Sequence, residues 1–290
     1  MICRSMSGTD PSHPPEAIRV QHAWYRRVLR TLQFGWARLA SREGYVEAHA
    51  APFDASFIGP AADVITRHIF RLGAHEPAIT RYLIENVRLR SGEIALDVGA
   101  NIGWYSVLLS RLSEPDARIF AFEPDPESYR LLLRNLEANG ARNVTPFNVA
   151  LGEHVGTAEL HRYKSSNNGR HTLLDGDTRG GVVRVPVDTL GAFWERHELG
   201  EQPIRLLKVD VEGFEYFVLR GAGALLGRCA CLLLEYSPEA LSSAGLDAHV
   251  LIDLLTVREA PRVFVGERAV SISFSELAAA TSQRDLLLTD

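Results

Sequence analysis

The sequence predicts an α/β fold: a mostly parallel sheet with helices on both faces, preceded by an N-terminal helical extension. Three observations carry this. From about residue 92 onward, short β-prone apolar runs alternate with stretches of helical periodicity, the pattern of βαβ units with right-handed crossovers. The first run, Ile94-Ala95-Leu96-Asp97-Val98, passes directly into a turn bearing Gly99 and Gly103. Two later runs end on or beside carboxylates, Glu123 and Asp210. Ligands of open α/β sheets bind beyond the carboxyl ends of the strands, so all these residues are expected at one crevice.

The 290 residues suit one large domain or one domain with an extension, long enough to bury a sizeable core. The hydrophobic share of 46% and charged share of 23% are ordinary globular values. A net charge of −5 argues against nucleic acid as the main partner. Cys3, Cys229 and Cys231 form neither an even disulfide framework nor two zinc-binding pairs. They read as reduced thiols of a cytoplasmic protein. No apolar run approaches the ~18 residues of a membrane span. The start of the chain lacks a compact apolar core of a secretory signal.

In chain order, residues 1–15 are polar and carry Pro11, Pro14 and Pro15, a disordered tail. Residues 16–72 form the extension, expected to act as lid or interface, and residues 73–290 the main domain. Within the extension Val20, Trp24, Val28, Leu32, Trp36 and Leu39 recur at helical spacing, with Arg26, Arg27, Arg30 and Arg38 between them. The expected helix packs on the domain, with contact to a second copy or a membrane surface as alternatives. Helices are predicted over 61–72 and 76–87. The strand at 94–98 is followed by a helix over 104–112 and a strand over 118–123. Asp125 caps the next helix, with Pro126 at its first position and Asn139-Gly140 at its end. Strands follow over 144–151 and 157–163. Residues 164–181 are polar, a long loop of the kind that often forms a functional lid. A strand over 182–187, a helix over 190–196 and a strand over 204–211 come next. A helix over 214–226, weakened by Gly221 and Gly223, and a strand over 229–235 follow. The chain ends with a helix over 247–257 and strands over 262–265 and 284–288.

The turn Asp97-x-Gly99-Ala100-Asn101-x-Gly103 lacks the third glycine of the dinucleotide fingerprint. Glu123 stands 123 − 103 = 20 residues after Gly103. That is close to the ~20 expected for an acid that reads ribose hydroxyls, and a carboxylate can accept two such bonds. Asn148 and Val149 end the third strand beside the same crevice. The strand period of two places Lys208, Asp210 and Glu212 on one face and Val209 and Val211 on the other. Paired carboxylates at a strand's carboxyl end suit proton abstraction or a divalent ion. Glu235, ending the fifth strand, could join them. His171 in the loop is a rival base, since histidine titrates near neutrality.

Asp97 to Gly103 resembles the first motif of class I S-adenosylmethionine (SAM) methyltransferases. Four strings occur in order: Ala-Leu-Asp-Val-Gly-Ala-Asn-Ile-Gly-Trp-Tyr-Ser (95–106), Ala-Phe-Glu-Pro-Asp-Pro (121–126), Asn-Val-Ala-Leu-Gly (148–152) and Lys-Val-Asp-Val-Glu-Gly-Phe-Glu (208–215). With Val-Leu-Arg-Gly-Ala (218–222), they look like the FkbM family of SAM-dependent methyltransferases. The resemblance spans about residues 73–237. It implies a Rossmann-like sheet and SAM held by Asp97, Gly99, Asn101, Gly103, Glu123, Pro124, Asn148, Val149 and Asp210. It also implies O-methylation of a sugar or natural-product hydroxyl. N- or carboxyl-methylation on the same scaffold and a non-catalytic SAM-binding protein are the alternatives. Asp210 and Glu212, with His171 as rival, are the candidate catalytic residues. If a divalent ion takes part, Asp210, Glu212 and Glu235 are its candidate ligands and magnesium the expected ion. The expected partners are a small-molecule acceptor and a second copy bound through the N-terminal helices.

Overall fold

The computed structural model describes residues 24–41, 44–162, 171–174, 180–256 and 258–289, with the side chains of 24–28 left out. It begins with helix α1 (Trp24–Ala40), a hairpin of β1 (Tyr45–Ala50) and β2 (Ala55–Pro60), and helices α2 (Val64–Leu72) and α3 (Pro77–Asn86). The alternating body follows as β3 (Ile94–Val98), α4 (Trp104–Arg111), β4 (Arg118–Phe122), α5 (Pro126–Ala138) and β5 (Val144–Phe147). Three strands, β6 (Ala150–Leu151), β7 (Gly156–His161) and β8 (Val182–Asp188), then make a small separate sheet. After α6 (Leu190–Arg196) the body resumes with β9 (Ile204–Val209), α7 (Glu215–Ala222) and β10 (Cys231–Tyr236). Helices α8 (Pro238–Ser243) and α9 (Ala248–Leu255), strands β11 (Arg262–Val265) and β12 (Arg268–Ser271), helix α10 (Phe274–Ala278) and strand β13 (Arg284–Thr289) complete it.

The main sheet has the order β12-β11-β13-β10-β9-β3-β4-β5. Strands β10, β9, β3, β4 and β5 run parallel, and β13 closes antiparallel on β10. This is the predicted Rossmann-like class: a mostly parallel sheet between helices. All five residues of β3 are buried, as a central strand covered on both faces requires. Alternation divides the core accordingly. Ala95, Ile119 and Ala121 face one apolar cluster, and Ile94, Leu96, Val98, Phe120 and Phe122 face the other. The strand order reverses at β3, whose neighbours β4 and β9 lie on opposite sides. The crevice at such a reversal is where open α/β sheets bind ligands.

The hairpin is fastened to the body by two asparagines one turn apart, Asn135 on α5 and Asn139 at its C-terminal cap. Asn135 Oδ1 accepts from Ile58 N at 2.8 Å, and its Nδ2 donates to Ile58 O at 3.1 Å. Asn139 repeats the pattern on Ser56, at 3.0 and 2.7 Å. The two primary amides imitate a neighbouring strand, so the edge of β2 is paired by side chains. The rise of four helical residues (~6 Å) matches that of two strand residues (~6.8 Å).

Several expectations are corrected. The strand predicted over 144–151 is interrupted at Asn148–Val149, and β6 leaves the main sheet to pair with β8. The predicted strand over 204–211 stops at Val209 because Glu212 (φ 53°) and Gly213 (φ 101°) turn the chain. The helix predicted over 214–226 ends at Ala222 and continues as a 3-10 segment, Gly223–Arg228. Cys229 precedes β10 and does not belong to it. In α1 Phe34 packs inward, while Leu32, Trp36 and Leu39 are exposed. The tail at 1–15 and most of the 164–181 loop lie outside the described residues.

Candidate functional site

A cavity of about 460 Å³ opens beyond the carboxyl ends of β3, β4 and β9. Its floor is the turn after β3. Gly99 (φ 78°) and Gly103 (φ 91°) both hold left-handed backbone, which favours glycine. The crowding at these positions comes from the protein itself. A Cβ at Gly99 would stand 1.8 Å from the Asp210 carbonyl, and one at Gly103 would stand 2.7 Å from Leu132 Cδ1. Gly99 therefore lets the exit of β9 lie against the turn, and Gly103 lets α5 approach it. Asn101 is also left-handed (φ 49°), a conformation asparagine tolerates; its Oδ1 accepts from Ile102 N at 2.8 Å.

Glu123 lines the cavity at the end of β4 and is 6% exposed. Its Oε2 accepts from Asn101 N and its Oε1 from Asp125 N, both at 2.8 Å. Burial pushes its carboxyl up to about 7, against the opposing effect of those two N–H bonds. Each oxygen keeps acceptor capacity, so the carboxylate fits the hydroxyl pair of a ribose. Asn148 does not line the cavity. Its Nδ2 donates to the carbonyls of Glu123 and Pro124 at 2.8 and 2.9 Å and braces the segment that carries Glu123. Pro124 and Val149 do line it.

Lys208, 3% exposed, joins the turn to the exit of β9. Its Nζ donates to Gly99 O at 3.0 Å and lies 3.2 Å from Asp210 Oδ2, 3.5 Å from Asp97 Oδ1 and 5.1 Å from the Tyr105 ring centre. Burial alone would lower its pKa. The carboxylates of Asp210, Asp97 and Glu76 outweigh that and hold it above the ordinary lysine value. Asp97 was expected to contact the cofactor but is fully buried beneath the turn, where it accepts from Ser106 Oγ at 2.6 Å. Gly103 likewise stays off the wall.

Asp210 and Glu212 both line the cavity, and so does Val211. Strand alternation therefore does not separate them. The loop that presents them is ordered by Glu215, whose Oε1 accepts from Val211 N at 3.0 Å and Gly213 N at 3.1 Å. Glu235 reaches the same wall beside Gln283. Its carboxyl is pushed well above the usual range by burial and by the charges of Asp210, Glu212, Glu215 and Asp285. Among the described residues no group of three or more His, Cys, Asp or Glu side chains is placed to hold a metal ion, so the expected ligand set of Asp210, Glu212 and Glu235 is not formed.

His171 lines the cavity with Leu173. Burial lowers its pKa, and the charges acting on it are Asp125, Arg162, Asp63 and Glu127. Asp125 and Glu127 stand at the start of α5 with Arg162 paired to Asp125, and Asp63 caps α2, so the charges acting on His171 are those of α5 and α2 and not Asp210 and Glu212.

The opposite wall comes from the N-terminal segment. Val64 and Ile65 at the start of α2 line the cavity, with His75 and Glu76 before α3. Glu76 holds a left-handed backbone (φ 42°), a strained state that clusters at functional sites. Tyr105 Oη donates to its Oε2, and His75 Nε2 lies 3.7 Å from its Oε1. His75 Nδ1 is buried, with no hydrogen-bond partner among the described residues. Sequence reasoning missed His75, Glu76, Tyr105 and Glu215. Tyr105 and Glu215 stand inside the motif strings and were open to discovery there. His75 and Glu76 carry no local signal, because they reach the site only through the packing of the N-terminal segment.

The Methyltransferase FkbM domain family matches residues 97–260. Among curated proteins the chain is 33% identical to methyltransferase sdnD of Sordaria araneosa, over 51% of this chain and 67% of that one. It is 31% identical to the hexuronic acid methyltransferase AglP of Haloferax volcanii, over 62% and 68%. It is 32% identical to the 31-O-demethyl-FK506 methyltransferase FkbM of Streptomyces tacrolimicus, over 48% and 63%. The chain thus spans about two thirds of the length of these relatives.

Proposed function

The chain belongs to the FkbM family of SAM-dependent methyltransferases, and from that premise we propose that it methylates a hydroxyl oxygen of a sugar or natural-product small molecule. Two relatives support the acceptor class by their names, one for a hexuronic acid and one for 31-O-demethyl-FK506. The observation that carries the reading is Asp210, held on the cavity wall by the same buried lysine that holds the glycine turn.

When bound, SAM supplies an activated methyl group on a positively charged sulfur. The protein's part is to orient the acceptor and take up its proton. Glu123 would accept the ribose hydroxyls, with Gly99, Asn101 and Pro124 around it and Val149 giving an apolar surface. Asp210 would receive the acceptor's hydroxyl proton, with Lys208 fixing its Oδ2, and Glu212 would bind a second polar group. Val64, Ile65, His75 and Glu76 would close the site on the far side, consistent with the extension acting as a lid. His171 and Leu173 would cover the ribose side, where His171's charged neighbours lie. Five carboxyl side chains on the wall (Glu76, Glu123, Asp210, Glu212 and Glu235) against one buried lysine, Lys208, also favour an amine acceptor, the reading of N-methylation on the same scaffold.

The test is a screen of hydroxylated and amino-bearing glycosides and polyketides with methyl-labelled SAM, read by mass shift. A labelled O-methyl product is the expected result, and a labelled N-methyl product would replace the reading. Asp210→Asn should keep SAM affinity and lose about 10²-fold or more in rate, the scale of general-base loss. Near wild-type turnover would reduce Asp210 to a structural strand end.

A further inference from the structure

We infer that the chain associates with a second copy of itself through the outer face of α1. This helix has two apolar sides. Phe34, 7% exposed, packs on Phe70 with ring centres 5.2 Å apart and seats α1 on α2. The other side carries Leu29, Leu32, Trp36 and Leu39, which are 54%, 59%, 74% and 81% exposed. Their spacing of three, four and three residues is the a/d spacing of a two-helix seam. At 3.6 residues per turn they fall within a stripe about 80° wide, and Arg30 and Arg38 stand about 140° from its centre. The flanks of the stripe are Gln33, Gly35 and Ala40, all uncharged.

Gly35 is a second observation. A glycine inside a helix is destabilising relative to alanine. Among the described residues a Cβ at Gly35 would meet nothing within 4 Å, so their packing does not call for glycine there. A second helix crossing close beside the seam does, because interaxial distance depends on the side chains at the contact.

The stripe is self-complementary under a two-fold axis, and such isologous pairs are the commonest oligomers. A membrane surface fits less well, since Arg30 and Arg38, the arginines of α1 whose side chains are described, stand away from the stripe and not at its edge where anionic headgroups would meet them. The exposed parts of the four side chains amount to on the order of 500 Å² per copy, so a pair buries roughly 1,000 Å², the lower bound for a specific interface. The dimer is therefore concentration-dependent. It also bears on the site, because α1 rests on α2, whose first residues Val64 and Ile65 line the cavity.

Sedimentation velocity of the full chain across the micromolar range tests this. The expected result is a reversible dimer. Trp36→Glu and Leu39→Glu should each weaken association about tenfold or more, with circular dichroism and SAM affinity unchanged. Gly35→Gln should raise helix content yet weaken the dimer, a pair of opposite changes that a folding defect cannot give. Val155→Glu, at an exposed apolar residue on the β6–β7 turn, should leave association unchanged. A monomer at every concentration would overturn the inference. So would a dimer indifferent to Trp36→Glu and Leu39→Glu, or monomers that bind phosphatidylserine vesicles through this face. Failure of SAM to bind would overturn the functional reading and leave the dimer standing.

Discussion

The sheet end and the N-terminal wall that faces it build one cavity by opposite means. At the sheet end, backbone does most of the work. Strand order places the turn after β3 beside the exit of β9, left-handed residues shape both, and Lys208 ties them through a carbonyl and two carboxylates. The N-terminal wall borrows its position. The hairpin before it is held by the amides of Asn135 and Asn139, and Glu76 is held by a tyrosine from α4. One region is fixed by strand topology and the other by apolar packing on the body together with a few polar side chains of α4, α5 and its cap. The difference teaches where each is vulnerable.

The largest expected effect is at the sheet end. Lys208→Met removes the cation shared by Asp97, which is fully buried, and Asp210. Breaking one member of a buried ion pair costs about 3–5 kcal/mol, and urea denaturation should show a loss of that size together with loss of SAM binding. A folded Lys208→Met protein of wild-type stability would mean that the turn is held by strand pairing alone.

The asparagines sharpen the contrast. Asn139→Ala leaves the Ser56 peptide without its partner, at about 1–3 kcal/mol for a group left unpaired. Hydrogen exchange should speed up at Ser56 while the amides of β3 and β9 stay protected and SAM affinity is unchanged. Asn135→Ala should reach both regions, because Asn135 Nδ2 also donates to Ile102 O in the glycine turn at 2.8 Å. Identical behaviour of the two variants would erase the distinction between the regions.

The smallest effect is a pH dependence. Glu123 has its carboxyl raised from 4.5 to about 7 by burial. A raised acid contributes stability that is present below its unfolded value and lost as pH rises through its folded value. Without ligand, Glu123 therefore subtracts stability between pH 4.5 and about 7. Ribose hydroxyls would donate to the ionised form, so SAM affinity should rise as pH increases through that value, by about tenfold across one unit on either side. Calorimetry at several pH values checks the sign, and affinity falling with pH would show that Glu123 binds in its protonated form.

The same division explains what was legible in the sequence. The strand–turn–helix around Gly99, the cap at Asp125 and the strand-end acids are local patterns, and local spacing found them. Residues displaced from the wall were misplaced for a physical reason: Asp97 and Asn148 have side chains consumed by Ser106 and by the Glu123 and Pro124 carbonyls, which spacing cannot reveal. Alternation failed beyond Val209 because Glu215 folds the next residues into a turn. His75 and Glu76 were invisible because what brings them to the cavity is long-range packing. The amphipathic pattern of α1 was visible, but Phe34 took the inward place that Leu32, Trp36 and Leu39 were expected to fill.

The central claim is that the cavity at the strand reversal binds SAM through Glu123. Calorimetric titration of SAM and of NAD into the wild type and Glu123→Ala tests it most directly. The account predicts that SAM binds, that NAD does not, and that folded Glu123→Ala binds SAM more weakly by about 1.5–3 kcal/mol, the range for hydrogen bonds to a charged group. Equal SAM affinity in the folded variant, or NAD bound in place of SAM, would contradict it.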